Sequence, residues 1–334
     1  MSTLSYNSRK TCDDNNIQVL RETYPAGLTF VVGDTHGAYD TLKRLMEKIR
    51  FDAKKDHVFF TGDYNKGGDP RSLLKLLSRY YAADYSVPGF HLIRGNHERE
   101  LLPLFPLENL PDIIVIRRKA MNYYIAHAGM LSKVFDLIDR DIRKDNEKTV
   151  YAYRLDDSAA AYDAPFRQII WSRKGLYSQK SKWHAWPSEE KLISSNSCII
   201  HGHTPYCFFF RENGPGYGDR SLFWTNQHIW FSEDLQSFDI DSDVKGRNAY
   251  GETYRGLSCI CLEALDEIAG CHGGRLSIES FLAGENFVFS AEYTPNRSYV
   301  FGGSIDRITN ASPDMKTISS SKNKMPVFSA SEAQ

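Results

Sequence analysis

Three times in the first hundred residues an apolar run stops at a glycine-containing turn that carries a metal-binding side chain, and this repetition limits the fold more than any other feature of the chain. Phe30, Val31 and Val32 lead into Gly-Asp-Thr-His-Gly (33–37). Val58, Phe59 and Phe60 lead into Gly-Asp-Tyr-Asn-Lys-Gly-Gly (62–68), and Phe90 to Ile93 into Arg-Gly-Asn-His-Glu (94–98). Between these units Leu42, Leu45, Met46 and Ile49 recur at helical spacing. A Leu-rich stretch from Arg71 to Ala82 follows Pro70, a residue suited to the first turn of a helix. The β-α-β-α-β order predicts a parallel or mixed sheet with its reactive loops at one edge.

Further along, the runs DIIVIRRK and NYYIAHAG read as strands, the second ending at His127. Cys198, Ile199 and Ile200 run into His-Gly-His-Thr-Pro (201–205), and SFDID (237–241) and LSCICLEAL (257–265) are predicted as two more strands. The stretch 131–188 is expected to be helical in parts, with Trp171, Trp183 and Trp186 as packing anchors and 139–148 as a solvated helix face. Residues 206–236 read as an aromatic insertion of hairpins and loops. Beyond 306 the chain becomes rich in Ser, Lys and Ala, which predicts a disordered tail. The expected organisation is an N-terminal segment (1–26), one catalytic domain (27–306) and a tail (307–334).

Composition narrows the function. A chain of 334 residues that is 41% hydrophobic and 25% charged can bury a large core, while a formal net charge of −1 offers no general attraction to nucleic acid or to an anionic membrane. No apolar run is long enough to span a bilayer and the first residues are polar, so a cytoplasmic location is expected. The six cysteines show no CxxC spacing, which argues against both a disulfide framework and a thiolate zinc site. Cys259 and Cys261 read as small buried apolar residues.

Five strand ends carry candidate ligands in order: Asp34 and His36, Asp63, Asn96 and His97, His127, and His203. Carboxylates, an amide oxygen and several imidazoles form a mixture that suits a pair of divalent transition metals.

This succession of GDTHG, GDYNKGG, IRGNHE, HAG and HGHTP resembles the metallophosphoesterase (calcineurin-like) superfamily, and within it the phosphoprotein phosphatase family. The HGHTP form is most similar to bacterial-type protein phosphatases and to symmetrical dinucleoside tetraphosphate hydrolases. The resemblance implies the four-layer metallophosphoesterase fold, of mixed α+β and α/β character, with a central β-sandwich flanked by helices. It implies that Asp34 and His36 hold a first metal, that Asp63 bridges two, and that Asn96, His127 and His203 hold the second, with manganese expected and iron or zinc as alternatives. It also implies that His97 is the general acid, that Arg94 contacts phosphate, and that Arg173, in Trp-Ser-Arg, is a second phosphate clamp. His201 is expected beside the metals rather than on them.

The implied activity is hydrolysis of phosphomonoesters on Ser, Thr or Tyr of a phosphorylated protein or peptide, by direct attack of a hydroxide that bridges the metals. Two alternatives stand beside it: symmetrical dinucleoside tetraphosphate hydrolysis, and a binding protein that keeps the metals without turnover. The chain departs from the family where GDYVDRG is usual, because Lys66 replaces the second aspartate and Gly67 the arginine. Lys66 is therefore expected to offer a point charge to phosphate, and Asp69 to become the partner of His97.

Overall fold

The computed structural model describes residues 14–65, 67–98, 110–130, 132–144, 148–155, 196–204, 222–224, 229–232, 237–242, 244, 256–271, 288–292 and 327–328. Lys66, Arg173, Trp171, Trp183 and Trp186 lie outside them, as does most of the aromatic insertion and of the tail.

The three strand–motif–helix units form as the sequence predicts. Strands β1 (Thr29–Val32), β2 (His57–Phe60) and β3 (Gly89–Leu92) pair in parallel in that order. Each β-branched or aromatic side chain in Phe30–Val32 and Val58–Phe60 is buried, as a sheet covered on both faces requires. Helix α2 (Tyr39–Lys48) turns Leu42, Leu45 and Met46 inward; α3 (Pro70–Tyr80) does the same with Leu73, Leu74 and Leu77. Each such side chain contributes about 2 kcal/mol of burial. Ahead of them, α1 (Asp14–Thr23) inserts Ile17 and Leu20 into the same core, so part of the N-terminal segment belongs to the fold.

The second sheet explains the layering. In β4 (Ile113–Arg117) and β5 (Asn122–Ala126), Ile114, Ile116, Tyr123 and Ile125 join the core shared with the first sheet, whereas Ile113, Val115, Tyr124 and Ala126 face a separate cluster. That cluster is closed by Val134, Phe135, Ile138 and Ile142 of helix α4 (Ser132–Lys144) and by Tyr151, Tyr153 and Leu155 of β6 (Val150–Leu155). A period-two strand with both faces apolar thus places sheet on one side and helix on the other.

The eight-stranded sheet continues through β7 (Ser197–His201), β8 (Leu222–Trp224), β9 (Trp230–Ser232) and β10 (Ser237–Asp239), in the order β6-β4-β5-β7-β10-β9-β8. Its outer edge is β13 (Val327–Phe328), so two residues of the segment expected to be a disordered tail pair with β6. The five-stranded sheet is completed by β11 (Gly256–Cys261) and β12 (Val288–Glu292), giving β12-β11-β1-β2-β3. One expected strand is corrected: LSCICLEAL stops being extended at Cys261, and Leu262–Cys271 is helix α5. The run Leu262-Glu-Ala-Leu is made of strong helix formers, and its continuous apolarity hid the change of period. Among the described residues, no helix is long and apolar enough to cross a membrane.

Candidate metal centre

Parallel pairing sends the carboxyl ends of β1, β2 and β3 to one edge of the first sheet, and those of β5, β7 and β10 to one edge of the second. The loops beyond those ends carry every expected ligand, and they interlock. His36 N donates to Asp63 O (2.7 Å) and Gly37 N to Tyr64 O (2.8 Å), which zips the first turn to the second. His203 N donates to Asp34 Oδ2 (2.8 Å), which ties the second sheet to the first. A Cβ at Gly202 would lie 1.9 Å from Asp34 Oδ1, so only glycine allows the loop after β7 to close on that carboxylate.

His36, Asp63 and His203 all adopt positive φ (42°, 54° and 68°). Left-handed backbone is costly for residues with a Cβ, and its concentration at three expected ligands marks where the chain trades stability for side-chain aim.

The side chains aimed this way form two overlapping groups. Ligand atoms of Asp63, His127 and His203 lie within 4.8 Å of one another, as do those of Asp34, His36 and Asp241. His127 Nδ1 faces the carbonyl of Thr61 at 2.8 Å, so it carries the proton of a neutral ring, and Nε2 presents a lone pair. That lone pair meets Asn96 Oδ1 at 2.8 Å and Asp63 Oδ1 at 3.5 Å. His203 Nδ1 is 3.1 Å from the same amide oxygen. Turning the Asn96 amide over brings its nitrogen within 3.2 Å of His203 Nδ1, His127 Nε2 and both Asp63 oxygens. An amide nitrogen has two protons for those four atoms, so either orientation leaves more lone pairs than donors. The residues present therefore fit divalent cations.

Charge points the same way. Asp34, Asp63, Glu98 and Asp241 are all buried. Burial, then the carboxylates of Asp241 and Asp63, push the Asp34 carboxyl well above its usual range. Burial and Asp63 push Glu98 up to about 8, against the backbone N–H groups of Tyr64, Asp63 and Gly95 that it accepts.

The remaining expected residues fall as follows. His97 sits at the rim, with Nε2 3.7 Å from Asp63 Oδ2 and its ring against His36 at a centroid distance of 5.9 Å. Its loop is held by His97 N donating to Asp63 Oδ1 (3.0 Å) and by Asn65 Nδ2 donating to His97 O (2.9 Å). Arg94 is buried, and its Nε and Nη2 grip Asp112 side-on at 2.8 and 3.0 Å. Any phosphate contact by Arg94 falls to the other edge of its fork. Asp69 caps α3, accepting from Ser72 N at 3.0 Å. His201 is fully buried, near Ser237 Oγ, and burial lowers its pKa to about 4.

Sequence reasoning missed Asp241, Glu98 and Thr61. Glu98 and Thr61 sit inside or beside quoted motifs. Asp241 ends a strand with no glycine turn after it, which left no local signal.

The sequence pattern of calcineurin-like phosphoesterases matches residues 28–233. A symmetrical bis(5'-nucleosyl)-tetraphosphatase of Actinobacillus succinogenes is 49% identical over 74 residues, covering 22% of this chain and 25% of that protein. One of Xylella fastidiosa (strain M23) is 38% identical over 125 residues, covering 31% and 42% respectively. The chain thus spans well under half the length of these relatives. Among solved structures, a protein serine/threonine phosphatase from Saccharomyces cerevisiae is 16% identical over 85% of this chain and 88% of that one, with a TM-score of 0.42.

Proposed function

The chain belongs to the calcineurin-like phosphoesterase family, and from that membership we propose that it is a two-cation hydrolase of phosphate esters whose substrates are phosphorylated proteins. The observation that carries this reading is the excess of lone pairs where His127 Nε2, His203 Nδ1, Asn96 and Asp63 meet. Asp34, His36 and Asp63 would hold a first ion, and Asp63, Asn96, His127 and His203 a second. When bound, two such ions make water acidic enough to serve as a nucleophile near neutral pH and neutralise phosphate oxygens.

The chain's own groups do the rest. His97, at the rim and anchored through its backbone to Asp63 and Asn65, delivers a proton to the departing ester oxygen. Arg94, pre-oriented by Asp112, offers a planar fork that does not need to reorganise when phosphate arrives. Glu98 holds the turns that carry Asp63 and Asn96 in one register through backbone N–H groups of both loops. Lys66, beside these turns in sequence, supplies a point charge rather than a fork.

A second reading has its own support: the similar curated proteins are named for symmetrical cleavage of bis(5'-nucleosyl) tetraphosphates. It uses the same metal centre. A panel of phosphoserine, phosphothreonine and phosphotyrosine peptides, run beside diadenosine tetraphosphate with and without Mn²⁺, separates the two. Mn²⁺-dependent phosphate release from peptides, abolished in Asp63→Asn, is expected. Nucleoside diphosphate production with inert peptides would replace the first reading by the second. Inertness towards both, with Mn²⁺ bound, would make the chain a metal-keeping binding protein.

A further inference from the structure

Asp241 comes from the carboxyl end of β10, outside every motif that marks the metal centre. Its side chain is 1% exposed, and one of its oxygens lies within 4.8 Å of ligand atoms of both Asp34 and His36. We propose that Asp241 is a further ligand of the first cation site, which would then be held by three carboxylates (Asp34, Asp63 and Asp241) and the imidazole of His36. The proposal rests on the two-cation reading above and adds to it.

The backbone is built to bring Asp241 there. A Cβ on Gly33 would lie 2.1 Å from the carbonyl oxygen of Ile240, so the chain leaving β1 and the chain leaving β10 touch because residue 33 lacks a side chain. Asp34 and Asp241 are the next residues on each side of that contact. On the other flank Ile240 N donates to His201 O (2.8 Å), which keeps β10 in step with the strand that delivers His203. Asp241 N donates to Asp239 Oδ1 (3.0 Å), and Ser242 Oγ is 2.6 Å from Ser258 Oγ on β11. The carboxylate is thus pinned from both chain directions and from both sheets.

Two buried carboxylates and an imidazole held this close repel one another unless a cation joins them, since moving charge out of water is costly and like charge adds to the cost. Gly33 and the contacts that fix Asp241 would be a poor arrangement for an unpaired repulsion. They are a good one for a preorganised ligand set.

The consequence is asymmetry. The first site becomes rich in hard carboxylate oxygen, whereas the second keeps one carboxylate, one amide oxygen and two imidazoles. Hard donors suit Mn²⁺ or Mg²⁺, and imidazoles suit Zn²⁺ as well.

The test is a titration of MnCl₂ into the metal-free full chain, followed by calorimetry and by electron paramagnetic resonance, which distinguishes a coupled Mn²⁺ pair from isolated ions. The parent protein is expected to take up two ions and give a coupled spectrum. Asp241→Ala is expected to weaken one ion at least tenfold while leaving the other within twofold, with an isolated-ion spectrum at low loading. Asp241→Asn, which keeps an oxygen at nearly the same volume, weakens the same site by a smaller factor and decides the question if the alanine variant does not fold. Two ions bound within twofold of the parent affinities in the folded variants would overturn the assignment of Asp241. Failure of the parent itself to bind two Mn²⁺ ions would instead overturn the two-cation reading.

Discussion

At the amino-terminal ends of β1 and β5, Arg118 reaches from the β4–β5 turn to Glu263 (2.8 Å), Asp266 and the hydroxyl of Thr29. Glu263 in turn accepts from Thr29 N (2.7 Å), and Tyr123 donates to Asp266 (2.8 Å). At the opposite, carboxyl ends of the same strands, Asp34, Asp63, Glu98 and Asp241 are buried together, and the arginine that shares the edge, Arg94, grips Asp112. Both ends bury several carboxylates. One end carries its counter-cation in the chain, and the other surrounds its carboxylates with imidazole and amide lone pairs. A buried carboxylate that the fold neutralises with its own arginine is structural; one that the fold aims at further lone pairs requires a cation from solution.

The comparison breaks first, and by the largest factor, at His97. If the carboxyl edge is the reacting end, His97→Asn should lower kcat for phosphoserine peptides by about 10²–10⁴. The loss should shrink for p-nitrophenyl phosphate, whose leaving group needs no proton, while folding stability changes little. A uniform loss over both substrates in a well-folded variant would remove His97 from the chemistry.

Arg118 sharpens the other side. Arg118→Ala leaves Glu263 without its cation and Thr29 Oγ1 without its donor. It should cost about 3 kcal/mol in chemical denaturation, near the low end for breaking a buried pair because 23% of the side chain remains in water. Activity per folded molecule should be unchanged at saturating Mn²⁺. A selective loss of activity would mean that the two ends are coupled.

The cation itself is the next lever. Adding Mn²⁺ at about a hundredfold excess over its dissociation constant should stabilise the fold by about 2.7 kcal/mol per site. Chelation should reverse the gain, which ought to persist in Arg118→Ala and fall in Asp63→Asn. An equal gain in Asp63→Asn would place the bound ion elsewhere.

Much of the reactive edge was legible because each ligand stands next to a strand that ends abruptly at glycine: the signal is local, and parallel pairing turns local signals into one edge. Asp241 was not legible because it reaches the centre through pairing of β10 with β7, a contact between segments without a shared motif. The Arg118 cluster was hidden for the same reason, since its partners lie more than a hundred residues away on α5. Leu262–Leu265 misled because an unbroken apolar run has no period to read. Arg94 was legible as a phosphate ligand by resemblance, whereas its grip on Asp112 depends on how the chain enters β4.

The smallest expected effect concerns a third way of burying a titratable group, as a neutral ring. His91 is fully enclosed on β3, stacked on Phe59 (centroids 4.5 Å apart) and on His57, and its Nδ1 donates to Ala82 O at 3.0 Å. Burial, then the neighbouring His57, lowers its pKa from 6.5 to about 4. The unfolded chain takes up a proton as pH falls through 6.5, whereas the folded protein resists until about 4. Stability from this residue is therefore complete above 6.5, declines between 6.5 and 4, and is level below. Between pH 7 and pH 5.5 the decline amounts to about 1 kcal/mol. His91→Phe keeps the stacking surface and removes the titration, so its denaturation midpoint should depend less steeply on pH over that interval, whatever its absolute stability. Because His91 lies outside the metal centre, the difference in slope should be the same with and without Mn²⁺. A difference that vanished on adding Mn²⁺ would show the acid response to arise at the carboxyl edge and would merge two regions that the geometry keeps apart.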